Sequence, residues 1–297
     1  MRKPAATVLG MIALALPAAL VGCGDDKTPP RGKGRTRVAK TEEKTDEKTD
    51  GKTPAVNGTD AKAATQGWGS LKGRFIVTGE APKPPELNIT QNMEYCNPFK
   101  QKGELRNESV EVSSKNELRN VVIYLRGKPE RVHDSYKDDE KKEVVLDNHK
   151  CRFDPHITLL RTTQTLRVKN SDPFGHNTKL DSIVPGQSFN EQIPAESQGV
   201  TKQLKQERFP IPYGCNIHPW MKGHLLVLDH PYMAVSGADG SFEIKNLPAG
   251  EHEFQFWHEV RGGLEVKNWK RGQAKITIKA GEPTDLENIE VPADLLK

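Results

Sequence analysis

Tyr213-Gly214-Cys215-Asn216-Ile217-His218-Pro219-Trp220-Met221-Lys222-Gly223-His224-Leu225 carries a thiol, an imidazole and a thioether within seven residues. The stretch lies between short runs that read as strands, so a single loop presents all three groups at once. Cysteine thiolate, histidine and a weak axial methionine are the donors of mononuclear blue-copper sites, which need one further imidazole. Soft sulfur suits Cu(I) and imidazole suits Cu(II), so a mixed set held in one geometry serves both oxidation states. Taken singly, each residue has a plainer reading: a methionine beside a strand is usually core, and a cysteine in an exported chain is usually half of a disulfide.

The missing imidazole is sought just after an upstream strand. Thr165–Asn170 reads as that strand, and Asn170-Ser171-Asp172-Pro173-Phe174-Gly175-His176-Asn177 follows its end. This places His176 in a turn from which it can converge on the loop. The expected metal ligands are therefore His176, Cys215, His218 and Met221, around one copper ion.

A strand ending V-x-N-x-D, then HN, then a later C-x₂-H-x₂-M resembles the amicyanin/plastocyanin type of cupredoxin, over roughly residues 158–229. The His-Pro-aromatic-Met-basic-Gly run is most similar to amicyanin, and larger exported proteins of this kind carry the label methylamine-utilisation protein. The resemblance implies a Greek-key β-sandwich and one-electron transfer, with donor and acceptor redox proteins as partners. It also implies that His218 reaches the surface as the electron's exit, with Pro219 and Trp220 as an apolar docking patch. Such a protein is an electron carrier rather than an enzyme.

The rest of the folded part reads as all-β. Leu71–Thr78, Asn120–Arg126, Ile157–Arg161, Ser188–Ile193 and His224–Asp229 are short apolar or alternating runs separated by Gly, Pro, Asn and Asp. Only Asn92–Lys100 suggests a turn of helix. A second unit is expected from His230, with Tyr232–Ser236 and Ser241–Ile244 as a hairpin about Ala238-Asp239-Gly240. SGADGSFEIKNLPAGEHEFQFWHE (236–259) resembles the carboxypeptidase-regulatory-like, or transthyretin-like, β-sandwich repeat. The expected division is thus a cupredoxin-like domain at 67–229 and a second sandwich at 230–297. If the opening strand pairs with the second unit, that boundary is nominal. A sandwich of this kind also permits another reading: a module binding polysaccharide or protein, with copper structural or absent.

Residues 1–22 read as a signal sequence: Arg2 and Lys3, then an apolar run interrupted by Pro17 and too short for a comfortable span. Leu20-Val21-Gly22-Cys23 resembles a bacterial lipobox, which implies lipidation at Cys23 and a membrane anchor in the cell envelope. The segment up to residue 66 is rich in Lys, Thr, Glu and Asp without apolar periodicity, and reads as a disordered tether. Its coil dimension is roughly 35 Å. The formal charge of +4 resides in these two segments, and the remainder is balanced, so nothing suggests a nucleic-acid partner.

Four cysteines complete the count. With Cys23 acylated and Cys215 on copper, Cys96 and Cys151 remain for a disulfide; a second metal site or free buried thiols are the alternatives, and Cys215 bonded to either is the main rival. Cys151 and His156 are ambiguous between metal ligands and structural residues. His258 sits in an apolar strand where a buried hydrogen bond is expected, and His224 is expected at the surface. There is no CxxCH, GxSxG, HExxH or phosphate-binding glycine loop.

Overall fold

The computed structural model describes residues 67–297. The signal sequence, Cys23 and the tether lie outside the described residues. In chain order the elements are β1 (Trp68–Thr78), α1 (Met93–Gln101), β2 (Val122–Leu125), β3 (Glu143–His149), β4 (Arg152–Asp154), β5 (Ile157–Arg161), β6 (Thr165–Asn170), β7 (His176–Leu180) and β8 (Phe189–Ile193). These are followed by β9 (Ser197–Lys202), β10 (Ile211–Gly214), β11 (Lys222–Leu228), β12 (Met233–Val235), β13 (Ser241–Pro248), β14 (Gly250–His258), β15 (Gly262–Gly263), β16 (Gln273–Ile278) and β17 (Pro283–Pro292). Among the described residues no helix is long and apolar enough to cross a membrane.

Four sheets form two sandwiches. The first packs β5-β11-β10-β7-β8 against β4-β3-β6-β9. Alternation along β6 sends Leu166 and Val168 inward, where they meet Leu146, Phe153, Leu160, Leu225 and Val227. Cys215 and Met221 belong to this same core, at one end of the sandwich. The second packs β13-β1-β17 against β12-β2-β14-β15, with β16 on β14. Its core holds Phe75, Ile123, Phe242, Phe254 and Phe256.

The two sandwiches do not divide at residue 230. β1 pairs with β13 and in parallel with β17, and β2 lies between β12 and β14, so the second sandwich takes two strands from before residue 130. The run 121–125 explains why. All five of its residues are buried, which a strand with one wet face does not require. Ile123 and Leu125 face the second core, while Val122 and Tyr124 meet Ile157, Leu226, Leu228 and Trp257 between the sandwiches. Ile123→Val is expected to cost about 0.5–1.5 kcal/mol by urea unfolding, as a core position of the second sandwich.

The hairpin at Ala238-Asp239-Gly240 is also revised. The turn forms, with Gly240 N–H donating to the Gly237 carbonyl at 3.0 Å. Its two strands then part, β12 to β2 and β13 to β1, so the turn is a corner between sheets. Gly240, at φ 72°, approaches so closely that an added Cβ would lie 2.5 Å from the Phe75 carbonyl oxygen.

Candidate metal centre

Local sequence builds each side of the site. At the end of β6 the Asn170 side chain donates to the carbonyls of Phe174 (2.7 Å) and Pro194 (2.9 Å) and accepts from the Asp172 N–H (2.9 Å). This fixes the turn that leads to His176, the first residue of β7. Asn177 then reaches across: its Oδ1 accepts the N–H groups of Asn216 (2.8 Å) and Ile217 (3.3 Å), holding the loop between β10 and β11 against β7. The loop closes on itself through Cys215 N–H to the Met221 carbonyl (3.1 Å) and Met221 N–H to the His218 carbonyl (2.9 Å).

The result brings His176, Cys215 and His218 together, with one donor atom of each within 4.8 Å of the others. Cys215 Sγ lies 3.9 Å from His176 Nδ1 and 3.7 Å from His218 Nδ1. Metal–nitrogen and metal–sulfur bonds near 2.0 and 2.3 Å at trigonal angles would set these pairs about 3.8 Å apart. Both imidazoles and the thiol are buried, and Met221 is buried beside them.

The far nitrogens are held too. His176 Nε2 lies 3.0 Å from Asp172 Oδ2, and His218 Nε2 lies 2.8 Å from Asn92 Oδ1. Both partners accept, so each ring carries its proton on Nε2 and turns Nδ1 toward the sulfur. This is how metal-binding histidines are commonly oriented. Burial would raise the Cys215 thiol, but its contacts with the His176 and His218 rings and with the Asn177 and His218 backbone outweigh it and bring the pKa to about 6. The thiolate, the form that binds metal, thus prevails at neutral pH. The donor set and its spacing fit a copper ion.

One expectation fails. His218 is fully buried and does not reach the surface. The segment before β2 covers it: α1 is preceded by Asn92, whose backbone is left-handed (φ 47°). Asparagine at such a position normally caps its own helix. Here it makes no side-chain cap and meets His218 instead. A Cys96–Cys151 disulfide fastens the segment, and Ile89 and Leu105 pack around it with Tyr95, Phe99, Phe174 and Trp220. Trp220 is half-buried, donating from Nε1 to the Cys151 carbonyl (3.0 Å), so of the expected docking patch only Pro219 is exposed.

The bridge also reaches the ligand shell directly. Asp172 accepts from Lys150 N–H at Oδ1 (2.7 Å), and its Oδ2 takes both the Cys151 N–H (2.9 Å) and His176 Nε2. The pairing of Cys96 with Cys151 leaves Cys215 as the free cysteine among the described residues and removes Cys151 as a metal ligand. Asn92 and Asp172 were not singled out from the sequence. The V-x-N-x-D ending signals Asp172, whereas nothing near Asn92 signals a partner 126 residues away.

No family model matches the chain, and no curated protein matches it. Solved structures do. An amicyanin from Paracoccus versutus is 20% identical, covering 35% of this chain and 96% of its own, with a TM-score of 0.26. A reduced Cu(I) form of an amicyanin mutant is 18% identical over 35% of this chain and 97% of its own, also at 0.26. A purple cupredoxin from Nitrosopumilus maritimus is 20% identical over 29% of this chain and 99% of its own, at 0.23.

Proposed function

We propose that this protein is a one-electron carrier with a single copper ion held by His176, Cys215, His218 and Met221. The observation that carries the reading is the pair of Nδ1 atoms facing one low-pKa thiol while Asp172 and Asn92 hold the opposite nitrogens. Copper there would supply a reversible Cu(I)/Cu(II) couple. The chain's own part is to keep the donors still and dry. Asn177 and Asn170 fix the two loops, and the buried surroundings exclude water from the thiolate.

Electron exit then differs from a bare imidazole edge. The His218 ring passes to Asn92, whose neighbour Met93 is exposed, as is Ile217 on the loop. These residues and Pro219 form the face offered to donor and acceptor redox proteins. In the same reading, lipid at Cys23 and the tether hold the domain to an envelope membrane.

Purified chain mixed with Cu(II) is expected to turn intensely blue or green, to bind one copper and to cycle reversibly under redox titration. Cys215→Ser is expected to abolish the colour. Colour retained in that variant, or no copper bound by the parent, would sink the reading.

A further inference from the structure

Two exposed apolar side chains stand on adjoining loops of the first sandwich: Ile183 is 80% exposed and Phe209 43% exposed. Apolar residues scattered singly on a surface need no cause, but these two loops are tied to each other. Ser182 Oγ donates to Glu207 Oε1, and Gln187 Nε2 donates to the same oxygen (3.2 Å) and to the Lys205 carbonyl (3.2 Å). Lys205 N–H returns a bond to Gln187 Oε1 (2.6 Å). The charges beside this tip are positive. Lys205 and Arg208 are exposed, and the Arg208 guanidinium lies over the Phe209 ring at 5.4 Å. The neighbouring carboxylates are already engaged: Glu207 is buried and turned inward to Ser182 and Gln187, and Asp181 pairs with Lys179 at 2.8 Å. Apolar side chains flanked by basic ones are the composition of surfaces that settle into the interface of an anionic bilayer.

Placement in the fold adds a direction. β7 leads away from His176 for about 13 Å before the chain reaches the tip. β10 starts at Ile211, two residues past Phe209, and runs toward Cys215. The tip therefore lies at the end of the first sandwich opposite the metal centre. The first described residue lies toward this end too. On β14, Trp257 is level with the metal end of β11, where it meets His224 (centroids 4.9 Å apart). Two residues earlier, Gln255 pairs with Tyr124, whose hydroxyl donates to the Arg208 carbonyl at 2.7 Å. β14 extends back from there to Gly250, and Ala249 N–H donates to the Gly67 carbonyl at 3.2 Å. Gly67, to which residues 1–66 are joined, is thus on the side of the tip.

Given the reading that lipid at Cys23 holds the chain to a membrane, we infer that Ile183 and Phe209, with Lys205 and Arg208, form a docking surface for an anionic phospholipid bilayer. Two apolar side chains alone hold a protein to a bilayer weakly. A tether with a coil dimension of roughly 35 Å keeps them at high effective concentration near the surface, so weak contact suffices. With that end down, Cys215 and His218 point away from the lipid, and Met93, Ile217 and Pro219 stay open to soluble redox partners.

Hydrogen–deuterium exchange of the purified chain tests this, on phosphatidylcholine vesicles with and without phosphatidylglycerol. Vesicles containing phosphatidylglycerol are expected to slow exchange several-fold in 181–187 and 205–209 and to leave 216–220 unchanged. Ile183→Asp with Phe209→Asp is expected to cancel the slowing and to cut co-sedimentation with the vesicles about tenfold or more, with the near-UV circular dichroism of the parent retained. The mass of the N-terminal peptide reads acylation at Cys23 separately. An unacylated chain whose two segments are still slowed would remove the anchor and keep the docking surface. No slowing in either segment, with Cys23 acylated or not, would overturn the docking surface. So would equal slowing by phosphatidylcholine alone, slowing confined to 216–220, or slowing without vesicles that grows with protein concentration, which marks a second copy as the occupant.

Discussion

Asp172→Ala is expected to destabilise the protein by roughly 3–5 kcal/mol and to weaken copper binding 10–100-fold. The carboxylate is fully buried and has three partners of different origin: the Lys150 and Cys151 backbone N–H groups and the His176 ring. Alanine strands both N–H groups without water and frees the His176 ring to rotate. Asp172→Asn keeps the shape but turns one oxygen into a donor facing donors, so it is expected to recover only part of the loss. Urea unfolding of the metal-free protein reads the stability, and competition with a copper chelator reads the affinity. A variant with unchanged copper affinity would show that Asp172 supports the loop but not the ligand.

Removing the bridge, as Cys96→Ala with Cys151→Ala, is expected to cost ~4 kcal/mol, because it releases a loop spanning 55 residues in the unfolded chain. The functional consequence is as large. α1 loses its anchor, and Asn92 with it, so the His218 ring becomes open to solvent. Electron exchange with a small soluble oxidant is expected to speed up, and the copper EPR parameters to broaden as the shell loosens. Stopped-flow oxidation of the reduced parent and variant checks this. Equal rates would mean that the covering segment leaves the exit path untouched.

These two effects rest on residues that differ in how legible they are. Cys215, His218 and Met221 are readable because coordination demands fixed spacing within one loop. The Cys96–Cys151 bridge follows from counting thiols. The all-β class follows from short runs and turn residues. Other features arise only in three dimensions. Asn92 has the residue type of a helix cap, and its use on His218 depends on α1 being laid across the loop. His224 follows the ligand loop and reads as surface, yet β14 covers it with Trp257. For His258 the strand and burial are as expected, but neither ring nitrogen has a hydrogen bond. The run 121–125 shows its two-sided burial in composition but not which partner lies on each side. Periodicity records that a face is covered, not by what.

The parallel pairing of β1 with β17 sets the order in which the molecule can be completed. β1 is the first described strand in chain order and β17 the last, so roughly 200 residues separate the two neighbours. At 5–20 residues per second, a gap of roughly 200 residues means a wait of about 10–40 s. The first sandwich, whose strands lie between residues 143 and 228, can close during that interval. The second must hold β1 and β2 in reserve with their apolar faces uncovered. A chain cut short before residue 283 would keep the strands that carry His176, Cys215 and His218 while leaving an unpaired sheet edge along β1.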